Sequence, residues 1–347
     1  MEKLKLNDTP VRTSRNFNIN NVKLENIIFP KNVKEFSNLN IIGKAQISSN
    51  VDNINLTYGL GEPALKHVEE NTNKVLKIIP ENNVEIEFKL NSENANLIEN
   101  IEIIAKENTK SQVLIKYSSE DEKEYFHNGV IRLLAEKDSN IDIKVINLIN
   151  TKSNNFLSIQ NDIYQNANVN YTVIDFGGKN SITNYYSNLN GDFSENKIES
   201  IYLGKEEQLF DLNYIAELKG VETKINIDVV GALKDNARKH FKGTIDFKKG
   251  CKKAVGDENE ECMLLSNTAK SVALPMLLCS EEDVEGNHAS SAGKIGEKEL
   301  FYIMSRGFEL KEAMKLMIRA KFNKILDNIK DENLRREIEE EIDKRLD

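Results

Sequence analysis

Between Val75 and Leu278 the sequence returns to one pattern: five to nine residues of alternating apolar and polar character, then a short run of Asn, Gly, Asp, Ser or Lys. NVEIEFKL (83–90), SQVLIKY (111–117), NIDIKVINLI (140–149), NVNYTVIDF (168–176) and TKINIDVVGAL (223–233) are examples. Each has the two-residue period of a strand with one face buried, and helical periodicity is missing throughout the region. Over roughly two hundred residues this predicts a dozen or more short strands with turn signals at near-regular intervals, which restricts the region to an all-β sandwich, barrel, propeller or solenoid.

The turns narrow the choice. Asn is frequent at the predicted strand ends (Asn154, Asn155, Asn161, Asn166, Asn168, Asn180, Asn190), where its side chain can satisfy the backbone and tolerate positive φ at a tight corner. A β-helix has such corners on every rung. There is no blade signature, no fixed-length repeat and few of the Asp-Gly or Gly-Asn turns of a meander. The reading is mainly β, an irregular right-handed parallel β-helix core, with a two-sheet sandwich as the alternative.

Both ends differ from this core. Residues 1–74 read as a small N-terminal cap in which LKHVEENTNKVLKII (65–79) opens with a short helix. The core is assigned to 75–295 and a C-terminal helical region to 296–347. Three helices are predicted there: 297–306, ended by Gly307 as an αL residue, 310–329, and 331–346 with Asp331 as N-cap. In the middle one, Ala313, Met314, Met317, Ile318, Phe322 and Ile325 recur at spacings of three and four and form an apolar stripe. The last carries little but charge outside Leu334, Ile338, Ile342 and Leu346, the pattern of a helix lying on a surface.

A formal charge of -9 with Lys and Glu interspersed argues against nucleic acid as a partner. The one dense basic run, KKGCKK (248–253), reads as a solvated turn. The N-terminus has no apolar signal segment, and no apolar run approaches the roughly 18 residues a membrane span needs. Three cysteines, an odd and sparse count, match reduced intracellular thiols, so the expected compartment is the cytoplasm.

Candidate chemistry is thin. Cys251, Cys262, Cys279 and His288 are the right ligand types for zinc or an iron–sulfur cluster, but their spacing fits no compact metal motif. The alternative makes Cys262 and Cys279 small core residues and puts Cys251 in a turn. There is neither a phosphate-binding loop nor a dinucleotide fingerprint. HASSAG (288–293) places serines beside a histidine without a nucleophile elbow. A β-helix carbohydrate enzyme would need paired carboxylates on one sheet face, which the sequence does not single out.

The stretch 241–308 contains FKGTI (241–245), LLS (264–266), Pro275, Asp283-Val284, the single His288 and LFYIMSRG (300–307). It resembles the C-terminal core of the SufB/SufD family of iron–sulfur cluster assembly proteins, and NDTPVRTSRNFNINN (7–21) resembles the start of SufD-like chains. SRG and LLS are SufD-like, whereas KIGE (294–297) is SufB-like. SufB carries a cysteine a few residues before the family's proline; NTAKSVALP (267–275) has none. SufB's histidine is flanked by glutamates; His288 has Asn287 and Ala289.

The resemblance implies a non-catalytic SufD-like subunit with a β-helix core. It would pair with SufB through the β-helix end and dock the ABC-type ATPase SufC through its C-terminal helices, in a complex of one SufB, one SufD and two SufC. It makes His288 a half-site for a nascent iron–sulfur cluster shared with SufB, with Cys251, Cys262 and Cys279 as further thiols. Phe301, Tyr302, Arg306, Gly307 and Phe308, together with Ala313 and Met314 of the stripe, would form or support the SufC-docking surface. The alternative is a SufB-like, self-associating homodimeric scaffold or metal-binding protein.

Overall fold

The computed structural model describes residues 3–13 and 19–347. In chain order the elements are β1 (Leu4–Leu6), β2 (Val22–Leu24), β3 (Leu39–Ser48), α1 (Glu62–Asn71), β4 (Lys74–Leu90), β5 (Asn96–Ala105), β6 (Lys110–Ser119), β7 (Phe126–Ala135), β8 (Asn140–Leu148), β9 (Asn154–Ile163), β10 (Asn168–Asp175), β11 (Asn180–Leu189), β12 (Glu195–Gly204), β13 (Leu209–Leu218), β14 (Lys224–Leu233), β15 (Arg238–Phe247), β16 (Ala254–Leu264), β17 (Lys270–Cys279), β18 (Val284–Lys294), α2 (Glu297–Ser305), α3 (Leu310–Leu326) and α4 (Glu332–Leu346).

From β6 to β16 every strand pairs in parallel with the strands two before and two after it. Odd-numbered strands therefore form one sheet and even-numbered strands a second. β4 joins them at the first turn, its Lys74–Ile78 portion pairing with β5 and Asn83–Leu90 with β6. This is a parallel β-helix of about eight turns. The five quoted alternating segments fall in β4, β6, β8, β10 and β14. From β5 onward successive turns advance by 26 residues at the shortest (Asn155 to Ser181) and 32 at the longest (Arg238 to Lys270), so no constant repeat length exists for sequence inspection to find.

In-register stacking makes each side-chain column uniform. The lumen between the sheets holds the main apolar cluster, including Ile86, Ile115, Ile143, Tyr171, Ile198 and Ile227. On the outside, amide–carboxylate ladders tie one turn to the next: Asn170 to Asp142 (3.0 Å), Asn188 to Asp162 (2.7 Å) and Asn287 to Asp257 (2.9 Å).

The corners revise the asparagine argument. At the corner leading from odd to even strands, one residue per turn is left-handed: Asn108, Asp138, Asn166, Phe193, Glu222 and Lys253. Each donates its amide to a carbonyl one turn further on, as Asn166 does to Asp192 (2.9 Å) and Phe193 to Val221 (2.9 Å). Of the seven asparagines singled out, Asn166 alone has positive φ; Asn154, Asn155, Asn161, Asn168 and Asn180 lie within strands. The inter-turn hydrogen bond holds the αL conformation even in Phe, Glu and Lys, against their steric preference.

The two outer faces are covered differently. Segments before β4 lie on the odd-strand sheet, where Leu6, Val22, Leu24, Ala64 and Val68 meet Ile98, Phe126, Val130 and Phe156. Residues 14–18, within the N-terminal stretch quoted above, lie outside the described residues. The even-strand sheet is covered by α3 and α4, whose Ile318, Phe322, Ile325, Ile338 and Ile342 pack on Ile174, Phe176, Ile201 and Val230. Asp331 caps α4 through the amides of Asn333 (2.8 Å) and Leu334 (2.9 Å). Among the described residues no helix is long and apolar enough to cross a membrane.

Candidate functional site: the open end of the β-helix

The two ends of the solenoid are unlike. At the first turn the antiparallel strand β3 covers β4, with a bulge between Gly43 and Ala45. At the last turn β17 pairs only with β15 and β18 only with β16. All of β18 after Val284 is exposed, and β17 is largely half-buried. Two parallel strand edges with unpaired backbone groups thus face solvent side by side. Edges of this kind are ordinarily blunted or capped.

His288 lies in the middle of this terminal strand. The run of Gly, Ser and Asn around it is therefore strand. His288 continues the lumen column Ile198, Ile227, Glu258, and its register partner one turn below is Glu258. The column changes from aliphatic to ionisable as it reaches the mouth.

Beneath the mouth the lumen is polar. Glu258 is 3% exposed and both its carboxylate oxygens lack a hydrogen-bond partner among the described residues. Burial, reinforced by the neighbouring Glu260, pushes its carboxyl up to about 8. It fits because the residue across the lumen is Gly243, where a Cβ would overlap Glu258 Oε2. Glu260 by contrast is fully engaged: Lys239 Nζ donates to Oε1 (2.6 Å), as does Tyr202 Oη (3.0 Å), and Ser290 Oγ of the terminal strand donates to Oε2 (2.8 Å). Lys239 and Glu260 are both wholly buried, and such a pair holds only while each partner is present.

Sequence reasoning missed Lys239, Glu258 and Glu260. GDENEEC (256–262) reads as solvated acid, and only the register with Ile227 and Val229 turns Glu258 and Glu260 inward. The cysteines are redistributed. Cys251 lies in the turn between β15 and β16, as expected, but is wholly buried there, its thiol pushed up to about 11 chiefly by burial. Cys262 faces the lumen near Tyr202 and Lys239, and burial raises its thiol too. Cys279, expected in the core, is exposed. Among the described residues no three His, Cys, Asp or Glu side chains are gathered closely enough to hold a metal ion.

The helix after β18 carries the second feature. α2 has no buried residue. Phe301 is 75% and Tyr302 59% exposed, and Met304, Phe308, Leu310 and Leu316 are exposed as well. Arg306 lies over the Tyr302 ring (5.2 Å) and donates to its hydroxyl (3.0 Å). Gly307 takes φ 100, the αL position that ends the helix. Ala313 is wholly buried and Met314 half-buried against the helix–sheet core, so the stripe from Ala313 to Phe322 packs α3 down and can only support a surface from beneath.

A family model described as the SUF system FeS cluster assembly SufBD core domain matches residues 88–321. The iron–sulfur cluster assembly protein SufD of Bacillus subtilis is 27% identical over 166 residues, 48% of this chain and 38% of that protein. An iron–sulfur cluster assembly SufBD family protein of Staphylococcus saprophyticus is 24% identical over 238 residues, 67% of this chain and 50% of that protein. The matched region thus spans half or less of the length of these relatives.

Proposed function

We propose, from the premise that this chain belongs to the SufB/SufD family of SUF iron–sulfur cluster assembly proteins and is a SufD-like member of it, that it is the non-catalytic SufD-like subunit of a cytoplasmic SUF scaffold. It pairs with a SufB-like subunit through the open β-helix end and docks a SufC-like ABC ATPase on α2. The observation that carries this reading is the uncovered last turn, with exposed His288 on its terminal strand and the exposed aromatic helix directly after it in the chain.

The chemistry follows from the edge. Unpaired N–H and C=O groups of β17 and β18 favour strand addition by a second β-helix, which extends both sheets and closes the lumen mouth. His288 then lies at the junction, and a neutral imidazole suits iron. The nascent cluster is cargo, held between His288 and thiolates of the SufB-like partner, because Cys251 and Cys262 are buried and no three ligand-type side chains are gathered among the described residues. Nucleotide hydrolysis is assigned to the ATPase.

The same open edge supports a second reading, pairing of two copies of this chain. Measuring the mass of the chain alone and mixed with SufB-like and SufC-like proteins separates the two. One SufB, one chain and two SufC is the expected complex, with iron and sulfide retained after anaerobic reconstitution. A folded chain that stays apart from both partners would refute the assignment, and a stable homodimer that refuses SufB would favour the second reading.

A further inference from the structure

We propose that Glu258 and His288 together form a binding site for a divalent first-row transition cation at the mouth of the β-helix lumen; the proposal rests on the half-site reading of His288 and adds a ligand to it. Three observations carry it. Glu258 is a buried carboxyl group with neither oxygen hydrogen-bonded, a condition that costs free energy unless something absent from the isolated chain meets it. The neighbouring cation cannot serve, because Lys239 is held by Glu260 and by the carbonyl of Val272 (3.3 Å).

The third observation is placement. Glu258 and His288 are register partners on adjacent parallel strands, about 4.8 Å apart along the stacking direction, and their side chains share one lumen column. That side chains of the terminal strand reach the turn below is seen two residues further on, where Ser290 bonds Glu260. Gly243 opposite is what gives the Glu258 carboxylate its room in the lumen, since a Cβ there would overlap it. One carboxylate and one imidazole form a borderline N/O set suited to Fe²⁺, Co²⁺ or Zn²⁺ rather than to Mg²⁺ or Ca²⁺. Water fills the remaining positions, and a docked subunit can replace it.

Co²⁺ is the probe. The full chain is titrated with CoCl₂ by calorimetry and by proton NMR of the histidine rings. One saturable equivalent is expected, with paramagnetic shifts at His288 and none at His67, His127 or His240. Glu258→Gln, which keeps the shape, and Glu258→Leu, which fills the lumen without ligating, should each retain the parent's circular dichroism and weaken binding at least tenfold. His288→Ala should do the same, whereas Glu285→Gln on the exposed edge should leave binding unchanged. Parent-like affinity in Glu258→Gln with loss in His288→Ala would overturn the two-residue site yet leave the His288 half-site standing. Parent-like affinity in both variants would remove both. Absence of saturable binding, or equal weakening by Glu285→Gln, would overturn the proposal too, the latter by reducing the effect to surface charge.

Discussion

At the scale of single residues, the lumen departs from an aliphatic core in a continuous polar seam. His127 lies between Asn155 Oδ1 (2.6 Å) and Glu99 Oε1 (3.3 Å); Asn155 donates to Ser181 (2.9 Å), and Ser181 donates to Asp175 (2.7 Å). Stacking in register lets each polar group find its partner one turn away, which is what makes burial tolerable. Burial raises the Asp175 carboxyl to about 6, against hydrogen bonds from Ser181 and Asn147 that favour the ionised form. In the unfolded chain the group ionises near its ordinary value of 3.8, so the native state holds the proton more tightly and loses stability as pH rises from about 4 through 6. Asp175→Asn removes that dependence. Denaturant midpoints of both proteins should show the parent gaining on the variant, by on the order of 2 kcal/mol, when pH is lowered from 8 to 4.5. A pH-independent difference would contradict the assignment.

Among elements, the C-terminal helices divide their labour. α3 and α4 bury their apolar stripes on the even-strand sheet and add ion pairs to it, Lys321 to Glu261 (2.8 Å) and Lys116 to Glu337 (2.6 Å). α2 leaves its aromatics in water. The stripe from Ala313 to Phe322 was legible as an apolar face, but a face read from spacing does not say whether sheet or partner covers it. Two substitutions separate the roles. Phe322→Ala, at a fully buried ring, should cost about 3–5 kcal/mol and lower the melting temperature. Phe308→Ala combined with Arg306→Glu should leave melting unchanged and abolish capture by the SufC-like ATPase in a pulldown. Normal capture by the double variant would sink the docking role of α2, and unchanged stability in Phe322→Ala would contradict the packing of α3.

For the whole molecule, the asymmetry of the ends is the main consequence. A solenoid gains stability from neighbour-to-neighbour contact, so a terminal turn has lost half of what an inner one has. β3 compensates at the first turn, and nothing among the described residues does so at the last. Lysines are an effective guard of exposed edges. Ala289→Lys with Ser291→Lys should therefore block pairing through this end, seen as loss of the mixed complex by light scattering, while the melting temperature of the isolated chain stays within a few degrees. Assembly that survives both lysines would move the interface elsewhere.

The period of two, carried over NVEIEFKL, SQVLIKY and their successors, is a local property, and it determined the strands, because alternation follows from pleating alone. The break in that pattern after Lys294 likewise determined the helices, through Gly307 and Asp331 acting within one turn of the chain. Register between turns is not local. Spacings that vary from 26 to 32 residues hide which side chains share a column. Only the tertiary structure decided that Glu258 and Glu260 face inward, that Cys251 is core and Cys279 is not, and that His288 stands at the mouth of the lumen above an unpaired acid.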